Sequence, residues 1–98
     1  MRIETYVHSD SLTENKGAAM VRVLSQTDFA ARTERFSKFA KACARYAYAA
    51  STEAWEELVK EYPDIEHQRL ELQTELKETI TVDQIRILTL TRPEPVAI

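Results

Sequence analysis

The spacing of hydrophobic and polar residues changes character along this chain. From Arg2 to His8 it alternates, with Ile3, Thr5 and Val7 on one side and Glu4, Tyr6 and His8 on the other, the period of a half-buried strand. Ser9 to Gly17 is polar and contains Asn15-Lys16-Gly17, a loop signal. Alternation returns from Ala18 to Leu24, where Ala19, Val21 and Val23 oppose Met20, Arg22 and Leu24. These two strands are expected to close into a hairpin over a long connection with a mobile tip.

A helical period follows. Phe36, Phe39, Ala40, Cys43, Tyr46, Ala47 and Ala50 recur at three and four residues, as on a helix with one buried stripe, and Arg35, Lys38, Lys41 and Arg45 fall on the far side. Tyr48 lies off that stripe. A second helix is predicted from about Thr52 to Tyr62, with Trp55, Leu58, Val59 and Tyr62 inward, stopped by Pro63. Asp64 then caps a third, running to about Thr79 with Leu72, Leu76 and Ile80 as its inner stripe. Thr81 to Leu90 returns to strand composition, and Pro93 and Pro95 end the ordered part. The pattern predicts an α+β two-layer sandwich, β-β-α(n)-β, with a small three-stranded antiparallel sheet covered by helices. Residues 1–91 are expected to form one domain and 92–98 a flexible C-terminal tail.

One junction does not fit the ordinary chemistry of turns. Between the second strand and the first long helix stands Ser25-Gln26-Thr27-Asp28-Phe29-Ala30-Ala31-Arg32. Thr27 and Asp28 suit a helix start, where an oxygen accepts from free N–H groups. Phe29 occupies a place where small residues are usual. It is either folded back as a lid or hydrophobic staple, or held out for a partner.

Ninety-eight residues, 44% hydrophobic and 30% charged, describe an ordinary globular domain. No apolar run reaches the roughly 18–20 residues that span a bilayer, and the start lacks the apolar stretch of a signal peptide. One cysteine, Cys43, leaves no intramolecular disulfide and suits a reducing compartment, so the expected location is cytoplasmic. A net charge of −3 argues against direct nucleic-acid binding, and without a long apolar run no membrane partner is expected. The charge is uneven: residues 1–51 hold eight basic and five acidic side chains, and 52–79 hold three and nine. Such asymmetry steers encounters with protein partners when it is more than two solvated faces.

The residues offer little for catalysis. His8, His67 and Cys43 lie on three elements without ligand spacing, so no metal site is expected. Cys43 falls within an apolar helical stripe and reads as a core thiol. A single glycine excludes a glycine-rich phosphate loop. The expectation is a non-enzymatic protein without a cofactor.

Thr27-Asp28-Phe29-Ala30-Ala31-Arg32 resembles the Thr-Asp-Phe-Val-Ala-Arg signature of the elongation factor Ts core, which also stands at a strand-to-helix corner. Ile3-Glu4-Thr5-Tyr6-Val7-His8 is similar to that family's Glu-Ser-Tyr-Ile-His strand, and Gly17 to Val23 to its Gly-Val-Leu-Val-Glu-Val strand. The resemblance covers residues 1 to about 50. It implies binding to elongation factor Tu and exchange of its guanine nucleotide, with Phe29 as an inserting wedge, Asp28 its polar companion and Arg32 orienting the corner. Thr27, Arg35 on the basic rim and His8 on the first strand complete the expected partner-binding set. Ser25-Gln26 stands where the family has Cys-Glu, and the matching part is one core subdomain, so binding is better supported than efficient exchange. The alternatives are a decoy that binds elongation factor Tu without exchange, or a homodimeric assembly module pairing through the open edge of its sheet.

Overall fold

The computed structural model describes residues 1–9 and 16–89. In chain order these form β1 (Arg2–His8), β2 (Gly17–Leu24), α1 (Asp28–Ala31), α2 (Glu34–Ala50), α3 (Trp55–Glu61), α4 (Pro63–Leu76) and β3 (Thr81–Thr89). The tip expected to be mobile and the tail at 92–98 lie outside the described residues. The strands form one antiparallel sheet, order β1-β2-β3, and the helices pack on one of its faces, the small α+β architecture that the pattern predicts.

The core lies where α2 crosses the sheet. Ala19, Val21 and Val23 point inward from β2, and Val82 and Ile85 from β3. They meet Phe36, Phe39, Ala40, Cys43, Ala44 and Ala47, the predicted stripe with Ala44 added and Tyr46 displaced to its margin. Three alanines in that stripe let the helix backbone approach the sheet closely. Leu58, Ile65 and Leu72 close the far side.

Strand β1 resolves the alternation in an unexpected sense. Its covered side is Arg2, Glu4, Tyr6 and His8, whereas Ile3, Thr5 and Val7 face outward. The inward polar groups satisfy one another: Arg2 Nε donates to Glu4 at 2.8 Å, and the Ser37 hydroxyl on α2 donates to the same carboxylate at 3.2 Å. The outer face therefore carries hydrophobic side chains, set among Thr5, Arg22 and Arg86. Ile3, Val7, Met20 and Leu88 are each between 44% and 59% exposed.

Three helix boundaries differ from expectation. The second helix starts at Trp55 rather than Thr52. α3 ends directly before Pro63 as expected, but Pro63 also begins α4, where its missing N–H costs nothing; Asp64 sits in the first turn and does not cap. α4 stops at Leu76 because Lys77 adopts a left-handed conformation, φ 56°. Ile80 is therefore not on the helix at all, but is fully buried in the link to β3. Arg69 stitches this link, donating to Gln73 Oε1 and to the Ile80 carbonyl at 2.9 Å each.

Two local irregularities mark β3. Opposite Arg22 and Val23 the register slips, and Arg22 Nε donates to the Asp83 carboxylate at 2.9 and 3.1 Å. Its outer edge is partly closed by Glu53, whose carboxylate accepts from Ile87 N–H at 2.8 Å.

Candidate functional site

The strand-to-helix corner is built in two steps. After Leu24 the chain leaves the sheet, and Thr27 caps a single helical turn by accepting from Ala30 N–H at 3.3 Å. The long helix does not follow directly. Thr33 starts it afresh, accepting from Phe36 N–H at 3.3 Å while its hydroxyl donates to Ala30 O at 2.9 Å. A one-turn helix rotates successive side chains by about 100°, so it has room for only two inward positions. Ala30 and Ala31 take them, and Asp28 and Phe29 are left facing water.

Phe29 is 82% exposed, the most exposed large hydrophobic residue described, so the lid or staple reading does not hold. Burying such a ring is worth about 1.5–3 kcal/mol, a gain that this fold forgoes. The turn beneath it is firmly held. Arg2 Nη1 donates to Ala31 O at 3.0 Å, tying the turn to the start of β1. Glu78, from the link after α4, accepts from Gln26 N–H and Thr27 N–H at 2.9 Å each and from the Thr27 hydroxyl at 2.5 Å. Those bonds, the Thr27 hydroxyl foremost, hold the Glu78 carboxyl below its ordinary value.

Thr27, Asp28, Phe29 and Arg32 thus share one corner. Asp28 is exposed and 4.0 Å from the Met1 α-amino group. Arg32 ends the turn with its side chain exposed, while the backbone of the corner is hydrogen-bonded to Arg2 and Glu78. Arg35, at the start of α2, is paired with Glu75 of α4, and Lys38 with Glu34.

His8 does not join this group. Arg2 pairs with Val23 beside the corner and His8 with Gly17 at the other end of the strand, about 20 Å away at the rise of an extended chain. There His8 stacks on Tyr48, ring centroids 4.9 Å apart, and shares a 2.8 Å hydrogen bond with the Tyr6 hydroxyl through Nδ1. The ring of Tyr48 lies over Gly17, where a Cβ would meet its hydroxyl at 2.6 Å. The off-stripe tyrosine is thus the cover of the sheet's far end.

Among the described residues no cluster of His, Cys, Asp and Glu has the makings of a metal site, and no helix is long and apolar enough to cross a membrane. Burial pushes the Cys43 thiol far up, which leaves it un-ionised and unreactive. The outer sheet face carries an open groove of about 200 Å³, lined by Thr5, Ala18, Met20, Arg86 and Leu88. No signal in the sequence pointed to Arg2 or Glu78. Both act through contacts between residues far apart in the chain. Compared with known proteins, the chain matches no protein-family model and no curated protein.

Proposed function

We propose that this protein binds the GTPase elongation factor Tu in the cytoplasm and promotes release of its GDP, with Phe29 as the inserting wedge and Asp28 beside it. The observation that carries this reading is an aromatic ring 82% exposed on a turn fixed from both sides by Arg2 and Glu78. A ring already exposed on a backbone held at both ends inserts without rearranging the turn, so only its own rotamer freedom is lost. The resemblance to elongation factor Ts at Thr27 to Arg32 supplies the partner. Exchange then follows from linkage: a protein that prefers the opened, empty GTPase weakens GDP by the factor by which GDP weakens its own binding. No bond is made or broken and no cofactor is required. Arg32 and Arg35 lie on the rim of such an interface; His8, at the far end of β1, reaches a partner only if the interface runs the length of the strand.

Phe29→Ala tests the reading cleanly, because the ring is scarcely buried and alanine favours a helical turn by roughly half a kcal/mol. The variant is expected to keep its melting temperature and to lose elongation factor Tu affinity by about thirtyfold, as for an aromatic hot spot of ~2 kcal/mol. Stopped-flow release of fluorescent GDP reads exchange directly. Acceleration by the variant equal to that by the wild type refutes the wedge.

A second reading is favoured by the bare sheet face. Ile3, Val7, Met20 and Leu88 are half-exposed on one side of β1, β2 and β3, with Arg22 and Arg86 among them, and a second copy would cover them face to face. With Glu53 on the β3 edge, self-association through the face is better supported than pairing through that edge.

A further inference from the structure

We propose that Glu78 is the positioning residue of the Phe29 corner, fixing the direction in which the ring is presented to a partner. This rests on the reading of Phe29 as a partner-binding residue. Gln26 and Thr27 belong neither to β2, which ends at Leu24, nor to α1, which begins at Asp28. Their N–H groups therefore have no ladder or helical acceptor. Both donate instead to Glu78 Oε1 at 2.9 Å, while Glu78 Oε2 takes the Thr27 hydroxyl proton at 2.5 Å.

That last bond has a consequence for the cap. With its proton committed to the carboxylate, Thr27 Oγ1 presents lone pairs to Ala30 N–H, at 3.3 Å. Glu78 thus sets the polarity of the cap that winds the turn under Phe29, and charge-assisted bonds of this kind are the stronger class. The connection is reciprocal, since Gln26 Oε1 accepts from Thr79 N–H at 2.9 Å. Two short links some fifty residues apart are clasped through their backbones. Arg69 and Gln73 hold the α4 side of the clasp independently, through Ile80. Removing the Glu78 carboxylate therefore frees the Gln26 and Thr27 N–H groups and the cap, while Arg2 still holds Ala31 and β3 stays in place.

The test uses the full chain with Glu78→Ala and Glu78→Gln, each folded by circular dichroism. Hydrogen exchange of the Gln26, Thr27 and Ala30 amides is expected to accelerate at least about tenfold in Glu78→Ala, with partial rescue by glutamine, whose carbonyl still accepts. Val21 and Phe36 amides are expected not to change. Equal exchange at the corner in wild type and variant overturns the proposal without any partner. Affinity for elongation factor Tu is then measured in both backgrounds. Glu78→Ala is expected to weaken binding roughly tenfold with Phe29 present and to have no effect in Phe29→Ala. An equal loss in both backgrounds also overturns it, because Glu78 would then act without the ring. If the wild type does not bind elongation factor Tu, the proposed partner falls, and amide exchange alone decides whether Glu78 positions the corner.

Discussion

Gly17→Ala places the packing of the sheet's far end under direct test. Gly17 has ordinary strand dihedrals, without a positive φ, so alanine there should by itself stabilise the chain by about 0.5–1 kcal/mol. The new Cβ, however, would lie 2.6 Å from the Tyr48 hydroxyl, 2.8 Å from Tyr48 Cε2 and 2.9 Å from the Leu88 carbonyl oxygen. The tyrosine can swing away only by giving up its stack on His8 and its contact with Tyr6, and the Leu88 oxygen belongs to the neighbouring strand. Overpacking costs about 1–3 kcal/mol, and with a backbone oxygen among three contacts under 3.0 Å the upper half of that range applies, so about 2–3 kcal/mol less the backbone gain leaves a net loss of about 1–2.5 kcal/mol. For a domain of this size the melting temperature should fall by roughly 5–15 °C. Urea denaturation of wild type, Gly17→Ala, Tyr48→Ala and the double variant isolates the clash: the alanine penalty should shrink by about half or more once the ring is gone. A Gly17→Ala protein as stable as the wild type, or one whose penalty is the same without Tyr48, would refute the argument.

Two further expectations concern charge and surface. Asp83 and Glu66 are held below the ordinary carboxylate range, chiefly by hydrogen bonds from Arg22 and Arg69. A lowered folded pKa means that each contributes stability above its unfolded value, near pH 4, which is lost as pH falls through the lowered folded one. Asp83→Asn and Glu66→Gln should therefore unfold more readily than wild type at pH 7 and match it near pH 2; a difference that persists in acid would show another cause. Met20→Lys puts a second positive charge on the outer sheet face directly beside Arg86, its cross-strand neighbour. If that face is where two copies meet, sedimentation should show a concentration-dependent dimer for the wild type and a monomer for the variant; a monomeric wild type at high concentration would remove the second reading.

What the sequence reveals follows the reach of each interaction. Phe36, Phe39, Ala40, Cys43 and Ala47 were legible because helical periodicity is local and one face of the helix is fully covered. Strand β1 was half legible: alternation separates Ile3 and Val7 from Tyr6 and His8, but cannot tell which side the helices cover. Hydrophobicity suggests the wrong one, because the inward groups are satisfied by Ser37, Tyr48 and one another. Pro63 revealed the end of α3 but not the immediate start of α4, because a proline that stops one helix is equally suited to the first turn of the next. The end of α4 was hidden because a lysine, not glycine or asparagine, takes the left-handed position. At the corner, Thr27 was readable as a cap. The direction of Phe29 was not, as it depends on two alanines filling the inward positions and on Glu78 and Arg2, which meet the corner only after folding.

The sheet's order sets a timetable for synthesis. β2 is the central strand, yet its β3 partners arrive some sixty residues later, with every helix in between. At about 5–20 residues per second the ribosome needs roughly 3–12 seconds to make that excursion, and β2 waits with one row of backbone N–H and C=O groups unpaired. A hairpin that formed in this interval would be open to any extended segment that reaches it. Arg22 stands on that waiting strand, and an unpaired charge there discourages foreign strands until Asp83 arrives to neutralise it. The same ion pair that fastens the finished sheet thus serves earlier as a guard.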